Sequence, residues 1–274
     1  MSAPASLGFG AQFRLTLVTG DRSLAAQADA GGVDRIGVDL ERMGKAMRQA
    51  GARARLSMHS VGDLSAIARV IRRASPFVRI NPFHDGTTAE VEQVLAAGAG
   101  VIMLPLFETA AVAERFVRLV DRRARTILLV ETGPALVRAR EIFSVGGVSE
   151  AMLGLNDLRL ALGISSHFEV LTSPLATMLA EEAARAGLPL SAGGVARPHD
   201  QGLPVAPDLV LAQYPRLGLS GAWLSRSFVA RTSAAATLAD GVVSIRRRLD
   251  DWAKASPEAL EAARTGLAQA ARRL

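Results

Sequence analysis

The amino-acid sequence predicts an α/β protein, a TIM (β/α)8 barrel with added C-terminal helices. Short apolar, β-branched runs alternate with Ala/Arg/Glu-rich stretches at helical spacing from about residue 13 to about residue 230, the pattern of repeated βα units. Several runs, such as VIMLPL and TILLVE, are continuously apolar, as parallel strands buried on both faces are. No Gly-x-Gly-x-x-Gly follows the first strand, which disfavours a dinucleotide-binding open sheet.

In chain order the candidate strands are Phe13–Thr19, Asp34–Leu40, Arg55–His59, Phe77–Ile80, Val101–Leu104, Ile127–Glu131, Ala151–Leu155, Pro189–Ala192, Leu209–Ala212 and Ala222–Ser225. These ten exceed the eight that a closed barrel needs, and residues 55–75 read as an added βα unit ending its strand at His59. Gly193-Gly194 marks a turn or a phosphate cradle late in the barrel. From Thr232 onward Ala, Leu and Arg fall at helical spacing, and Ser256-Pro257-Glu258 reads as a break and a helix start. This divides the chain into a catalytic barrel, residues 1–230, and a helical extension, residues 231–274, packed on the barrel or on a neighbouring subunit.

Composition removes several functional classes. There is no cysteine, hence no disulfide framework, thiol nucleophile or Cys-ligated metal site. The 32 Lys+Arg outnumber the 26 Asp+Glu, but the excess is spread over helical stretches, and aromatics at 4% leave little for base stacking, so no nucleic-acid role is expected. The N-terminal residues lack a basic segment followed by a long apolar one, and no apolar run approaches the ~18–20 residues of a membrane span. A soluble cytoplasmic protein without a membrane partner is the expectation.

Reactive groups of a βα barrel sit where strands run out into the βα loops. Four candidate strands end in polar residues: Asp39 and Glu41 after Ile36, Arg79 and Asn81 around Ile80, Glu131 after Val130, and Asn156-Asp157 after Leu155. An unpaired carboxylate costs several kcal/mol to bury, so such groups need cations or donors beside them. Carboxylates from separate strand ends, with few imidazoles, suit a hard divalent ion such as Mg2+ or Mn2+ rather than zinc. Singly, Asp157 also reads as a helix cap, Glu131 as a first-turn charge and Arg79 as an ion-pair partner.

Arg79-Ile-Asn81-Pro82, the run Leu95 to Pro105, Glu131-Thr132, Gly154-Leu155-Asn156-Asp157-Leu158 and Leu162-Gly163 together resemble the HpcH/HpaI aldolase and citrate lyase β-subunit family. Asp39-Leu40-Glu41 resembles that family's acidic motif, and the 26-residue separation of positions 131 and 157 matches its step between metal ligands. The resemblance is strong over residues 33–165 and weaker to Phe228. It implies an oligomeric phosphoenolpyruvate/pyruvate-type barrel that binds Mg2+ or Mn2+ and cleaves or forms carbon-carbon bonds next to a 2-oxo acid or acyl-CoA ester. It further implies Glu131 and Asp157 as metal ligands, Arg79 facing the substrate carboxylate or keto oxygen, and Asp39 and Glu41 holding metal-bound waters.

Two departures stand out. Arg42 occupies the place of the HpaI-branch proton-transfer histidine, and Leu106 follows Pro105 where the citrate lyase branch commonly has lysine. Candidates for the missing proton carrier are His59 and His84, with His59 preferred for its strand-end position. Asn81, His84, Leu155, Asn156 and Arg226 are candidate substrate-binding residues. The two lysines, Lys45 and Lys254, fall on no strand end, which disfavours a lysine-imine mechanism. The leading expectation is a homo-oligomeric, metal-dependent aldolase joining an oxo acid to an aldehyde or acyl partner. The alternatives are an acyl-CoA lyase of malyl-CoA or citramalyl-CoA type and a barrel that binds a metabolite without turnover.

Overall fold

A computed structural model describes residues 8–43, 58–233 and 236–274. After a single turn, α1 (Phe9–Gln12), the chain runs β1 (Arg14–Val18), α2 (Arg22–Ala30), β2 (Arg35–Asp39), α3 (Val61–Val70), β3 (Ser75–Arg79), α4 (Thr87–Ala96) and β4 (Val101–Leu104). It continues through α5 (Ala110–Val120), β5 (Arg125–Val130), α6 (Gly133–Val137), α7 (Ala139–Phe143), β6 (Glu150–Leu153) and α8 (Leu155–Leu162). The last part holds α9 (His167–Thr172), α10 (Pro174–Arg185), β7 (Leu190–Ala192), β8 (Gly194–Val195), α11 (Pro207–Leu217), β9 (Gly221–Leu224), α12 (Arg226–Ala230), α13 (Leu238–Ala253) and α14 (Pro257–Ala271).

All pairings in the sheet are parallel, in the order β7-β6-β5-β4-β3-β2-β1-β9-β8. The first and last members are two halves of one strand, broken at Gly193, whose φ of 49° a β-carbon disfavours. β9 pairs with the second half, Gly194 opposite Trp223, and its edge reaches the first half and the break: Ser220 N–H, just before β9, donates to Leu190 O at 2.7 Å and Trp223 N–H to Gly193 O at 3.1 Å. The sheet therefore closes on itself as an eight-stranded TIM barrel.

Two expected strands are corrected. Leu209–Ala212 lies inside α11, because Pro207 starts a helix at its first position and Gly218, at φ 64°, ends it. Its continuous apolar run is a buried helix stripe. Of Arg55–His59, residues 55–57 lie outside the described residues, while Met58–Ser60 are not strand and Ser60 caps α3. β2 pairs directly with β3 over five residues, so no added strand stands between them.

Alternation along the strands sorts the interior into two cores. Phe77, Val101, Met103, Ile127, Leu129 and Met152, with Val18 and Trp223 packed against them, fill the barrel lumen. A much larger cluster fills the layer between strands and helices. On the amino-terminal side of the lumen, Arg35 of β2 donates to both oxygens of Glu150 of β6, to Oε1 at 3.0 Å, and Ser191 Oγ donates to the same oxygen at 2.9 Å. All three are buried.

α13 packs on α11, α1 and α2, and α14 on α11 and α9, so both final helices lie against this chain's own barrel. Arg246 of α13 donates to Gly10 O, Phe13 O, Gly32 O and Asp34 Oδ2, and Asp34 Oδ2 in turn accepts from Leu15 N–H. Among the described residues no helix is long and apolar enough to cross a membrane.

Candidate functional site

β2, β3, β5 and β6 run out on the same, carboxyl-terminal side of the barrel, because all are parallel. Asp39 and Arg79 are the last residues of β2 and β3 and stand opposite each other in register. Arg79 Nε–H and Nη2–H donate to Asp39 Oδ1 and Oδ2 at 2.9 and 2.6 Å, a bidentate pair. Nη1 lies 3.0 Å from Glu41 Oε2. All three side chains are buried, and the carboxylates of Asp39, Glu41 and Glu131 hold the guanidinium firmly charged despite its burial.

Glu131 follows β5 and is 3% exposed. Its Oε1 accepts from the N–H of Leu106 at 3.2 Å, and Leu106 takes a left-handed φ of 52°. Burial pushes the Glu131 carboxyl well above the usual carboxylate range; Arg79 opposes this, while the nearby carboxylates of Asp157 and Glu41 push it further up. Asp157 sits in the first turn of α8, not at its cap, which is Gly154. It lies within hydrogen-bonding reach of Glu131, and its Oδ1 is buried with no hydrogen-bond partner among the described residues.

Two converging carboxyl groups, one of them with an orphaned buried oxygen, are held together by a proton or a cation. Oxygen-only donors suit a hard divalent ion, so the residues fit the group that the sequence implies. Among the described residues no set of three or more His, Asp or Glu side chains is gathered for a cation. A cation held by this pair would complete its coordination with substrate oxygens and water.

The other expected site residues divide. Asn81 and His84 are both tied to Glu90, which accepts from Asn81 N–H at 3.1 Å and Nδ2–H at 2.8 Å, while Asn81 Oδ1 accepts from Arg42 and Met43 N–H. His84 Nε2 meets Glu90 Oε2 at 3.2 Å and its Nδ1 accepts from Gly86 N–H at 3.0 Å. The His59 ring lies beside the site, its Nδ1 accepting from Asp39 N–H at 3.2 Å where the β1–β2 ladder has ended. Leu155 is buried, with its side chain against Gly193, while Asn156 and Arg226 are exposed at the starts of α8 and α12. The sequence reading did not single out Trp223, whose ring lies under the Arg79 guanidinium, 5.3 Å from ring centroid to Cζ.

Comparison with known proteins brings an independent line. The family model described as HpcH/HpaI aldolase/citrate lyase matches residues 14–189. No curated protein matches the chain. An HpcH/HpaI aldolase/citrate lyase family protein from Burkholderia cenocepacia J2315 superimposes with a TM-score of 0.65 at 17% identity, over 80% of this chain and 91% of its own. For a citrate lyase from Burkholderia xenovorans LB400 the TM-score is 0.60 at 18% identity, over 94% and 86%. The citrate lyase β subunit of M. tuberculosis, solved with oxaloacetate and magnesium, gives 0.57 at 20% identity, over 88% and 98%. At these identities the likeness is one of fold.

Proposed function

The chain belongs to the HpcH/HpaI aldolase/citrate lyase family, and from that premise we propose that it is a lyase or aldolase that uses Mg2+ or Mn2+ to cleave or form a carbon-carbon bond next to a 2-oxo acid. The observation that carries the reading is the convergence of Glu131, just after β5, and Asp157, in the first turn of α8, of which one is driven towards its protonated form and the other keeps a buried, unpartnered oxygen. These two residues would hold the cation. When bound, it supplies a Lewis acid for the carboxylate and keto oxygens of an oxo acid. The M. tuberculosis neighbour, with its oxaloacetate and magnesium, supports the same pairing of ligand and ion.

The chain's own groups do the rest. Arg79 brings a fixed positive charge to the place where negative charge grows as the bond next to the keto group breaks. Two of its five N–H groups are taken by Asp39 and Nη1 ion-pairs with Glu41, so the guanidinium cannot swing away, and its remaining donors serve the substrate. The apolar lumen below excludes water from that side. Arg42 offers only hydrogen-bond donors and no acceptor, so it does not replace the HpaI-branch histidine. We assign the proton to His59, whose Nδ1 accepts from Asp39 N–H and thereby places the neutral ring's proton on Nε2.

The test has two stages. Mn2+ titration by calorimetry is expected to show binding that Glu131→Gln and Asp157→Asn abolish. NMR is then expected to show cation-dependent exchange of the pyruvate methyl protons into D2O, and a panel of 4-hydroxy-2-oxo acids to release pyruvate. Unchanged turnover in both variants would overturn the cation assignment.

A further inference from the structure

The lumen-facing side of β9 presents one large side chain, Trp223. Its ring meets Phe77 edge-on, with centroids 5.9 Å apart and an interplanar angle of 76°, and packs on the lumen core. Below it, on the amino-terminal side, Arg35, Glu150 and Ser191 close the barrel and are themselves buried. Trp223 is only half-buried, and its ring reaches Arg79, the last residue of β3. One face of its ring lies 5.3 Å from Arg79 Cζ.

We propose that Trp223 is a positioning residue for substrate recognition: its indole face backs the Arg79 guanidinium, so that the oxo acid meets only the guanidinium edge left by Asp39 and Glu41. The proposal rests on the oxo-acid reading above. A guanidinium is held in its plane by carboxylates but is free to tilt out of it, and water solvates its faces poorly but reaches them. An aromatic face removes both freedoms, and indole is the strongest such face, followed by tyrosine and phenylalanine. The carboxylates act within the guanidinium plane, Asp39 along one edge and Glu41 at Nη1, and so leave the face to the indole.

The chain has two tryptophans, and Trp252 lies on α13 against Arg248 and Asp208, which makes the proposal readable by fluorescence. In Trp252→Phe, titration with oxalate in the presence of Mg2+ is expected to shift the Trp223 emission and to saturate at the concentration found by calorimetry. Trp223→Leu is expected to raise KM for pyruvate about tenfold with kcat changed less than about threefold, and Trp223→Phe to restore most of the difference. An emission that stays constant while calorimetry shows oxalate bound overturns the proposal, as does a Trp223→Leu protein with the parental KM. If calorimetry finds no oxalate binding to the unaltered protein, the oxo-acid reading itself fails and the role of Trp223 falls with it.

Discussion

Gly154 stands directly against Glu131: a β-carbon built on it would come within 2.5 Å of Glu131 Oε2 and 2.6 Å of its Cβ. The glycine follows β6 and caps α8, the helix that carries Asp157, so the space it leaves lets Glu131 lie close to the start of that helix. Gly154→Ala is expected to displace Glu131 and weaken Mn2+ binding by at least about tenfold, since geometry at a ligand pair is held by its surroundings. Calorimetric titration checks this, and parental affinity in the variant would show that Glu131 is not a ligand.

Without a cation, the charge of Asp157 and burial make ionised Glu131 costly, so the folded protein has to hold a proton on it against its ordinary acidity. Asp157→Asn is therefore expected to stabilise the metal-free protein by about 1 kcal/mol, a stability gain at the expense of function. The unaltered protein is expected to gain about 2.7 kcal/mol at a Mg2+ concentration one hundred times its Kd, and the variant nothing. Thermal melts with and without Mg2+ separate the two effects; a metal-free variant that melts lower than its parent contradicts that cost.

Arg35 and Glu150 are both buried and satisfy each other. Removing one partner strands the other charge inside the barrel, so Glu150→Ala is expected to destabilise the fold by about 3–5 kcal/mol. The double variant Arg35→Leu/Glu150→Leu is expected to recover most of that loss. Urea denaturation measures both, and equal stability of single and double variants would refute a stranded charge.

Asp29 at the end of α2 accepts from the N–H groups of Arg72, Arg73 and Ala74, at 2.8, 2.9 and 2.6 Å, and so pins the turn between α3 and β3. Burial alone would raise its carboxyl, but these donors outweigh it and hold it below its usual value of 3.8. A folded-state value below the unfolded one means stability that is fully present above about pH 4 and lost as pH falls through the folded value. Asp29→Asn is expected to cost about 2–3 kcal/mol at pH 7, with a smaller difference at pH 3. A pH-independent difference in urea midpoints would rule out the carboxylate as its source.

Strand ends were readable from sequence wherever a charged residue interrupted an apolar run: Asp39, Arg79, Glu131 and Asp157 stood out in this way, and the fold brings them to one mouth. Trp223 gave no such signal, because an aromatic residue in an apolar strand reads as ordinary core, and only the barrel's closure puts it under Arg79. Arg35 and Glu150 each begin a strand, where a charge passes for a surface residue; their meeting depends on non-local packing across the lumen. The contacts of Asn81 and His84 were not legible either. They are polar and near a strand end, but their common partner Glu90 lies one helical turn into α4 and carries no mark in the sequence that ties it to them. The extra strand at Leu209–Ala212 failed on length, since an apolar run of four residues does not distinguish a strand from a buried helix face.

The ring closes through β9, which lies between β1 and the broken strand at Gly193. During synthesis the second neighbour of β1 emerges only about two hundred residues after β1 itself, some tens of seconds at ordinary rates of elongation. Throughout that interval a ribosome-bound chain carries an unpaired strand edge, open to another nascent chain in the same polysome. Arg246, which gathers carbonyls from both sides of β1, comes later still. Overproduction at lower temperature or with a holding chaperone should therefore change the soluble yield of this protein more than it changes the stability of what has already folded.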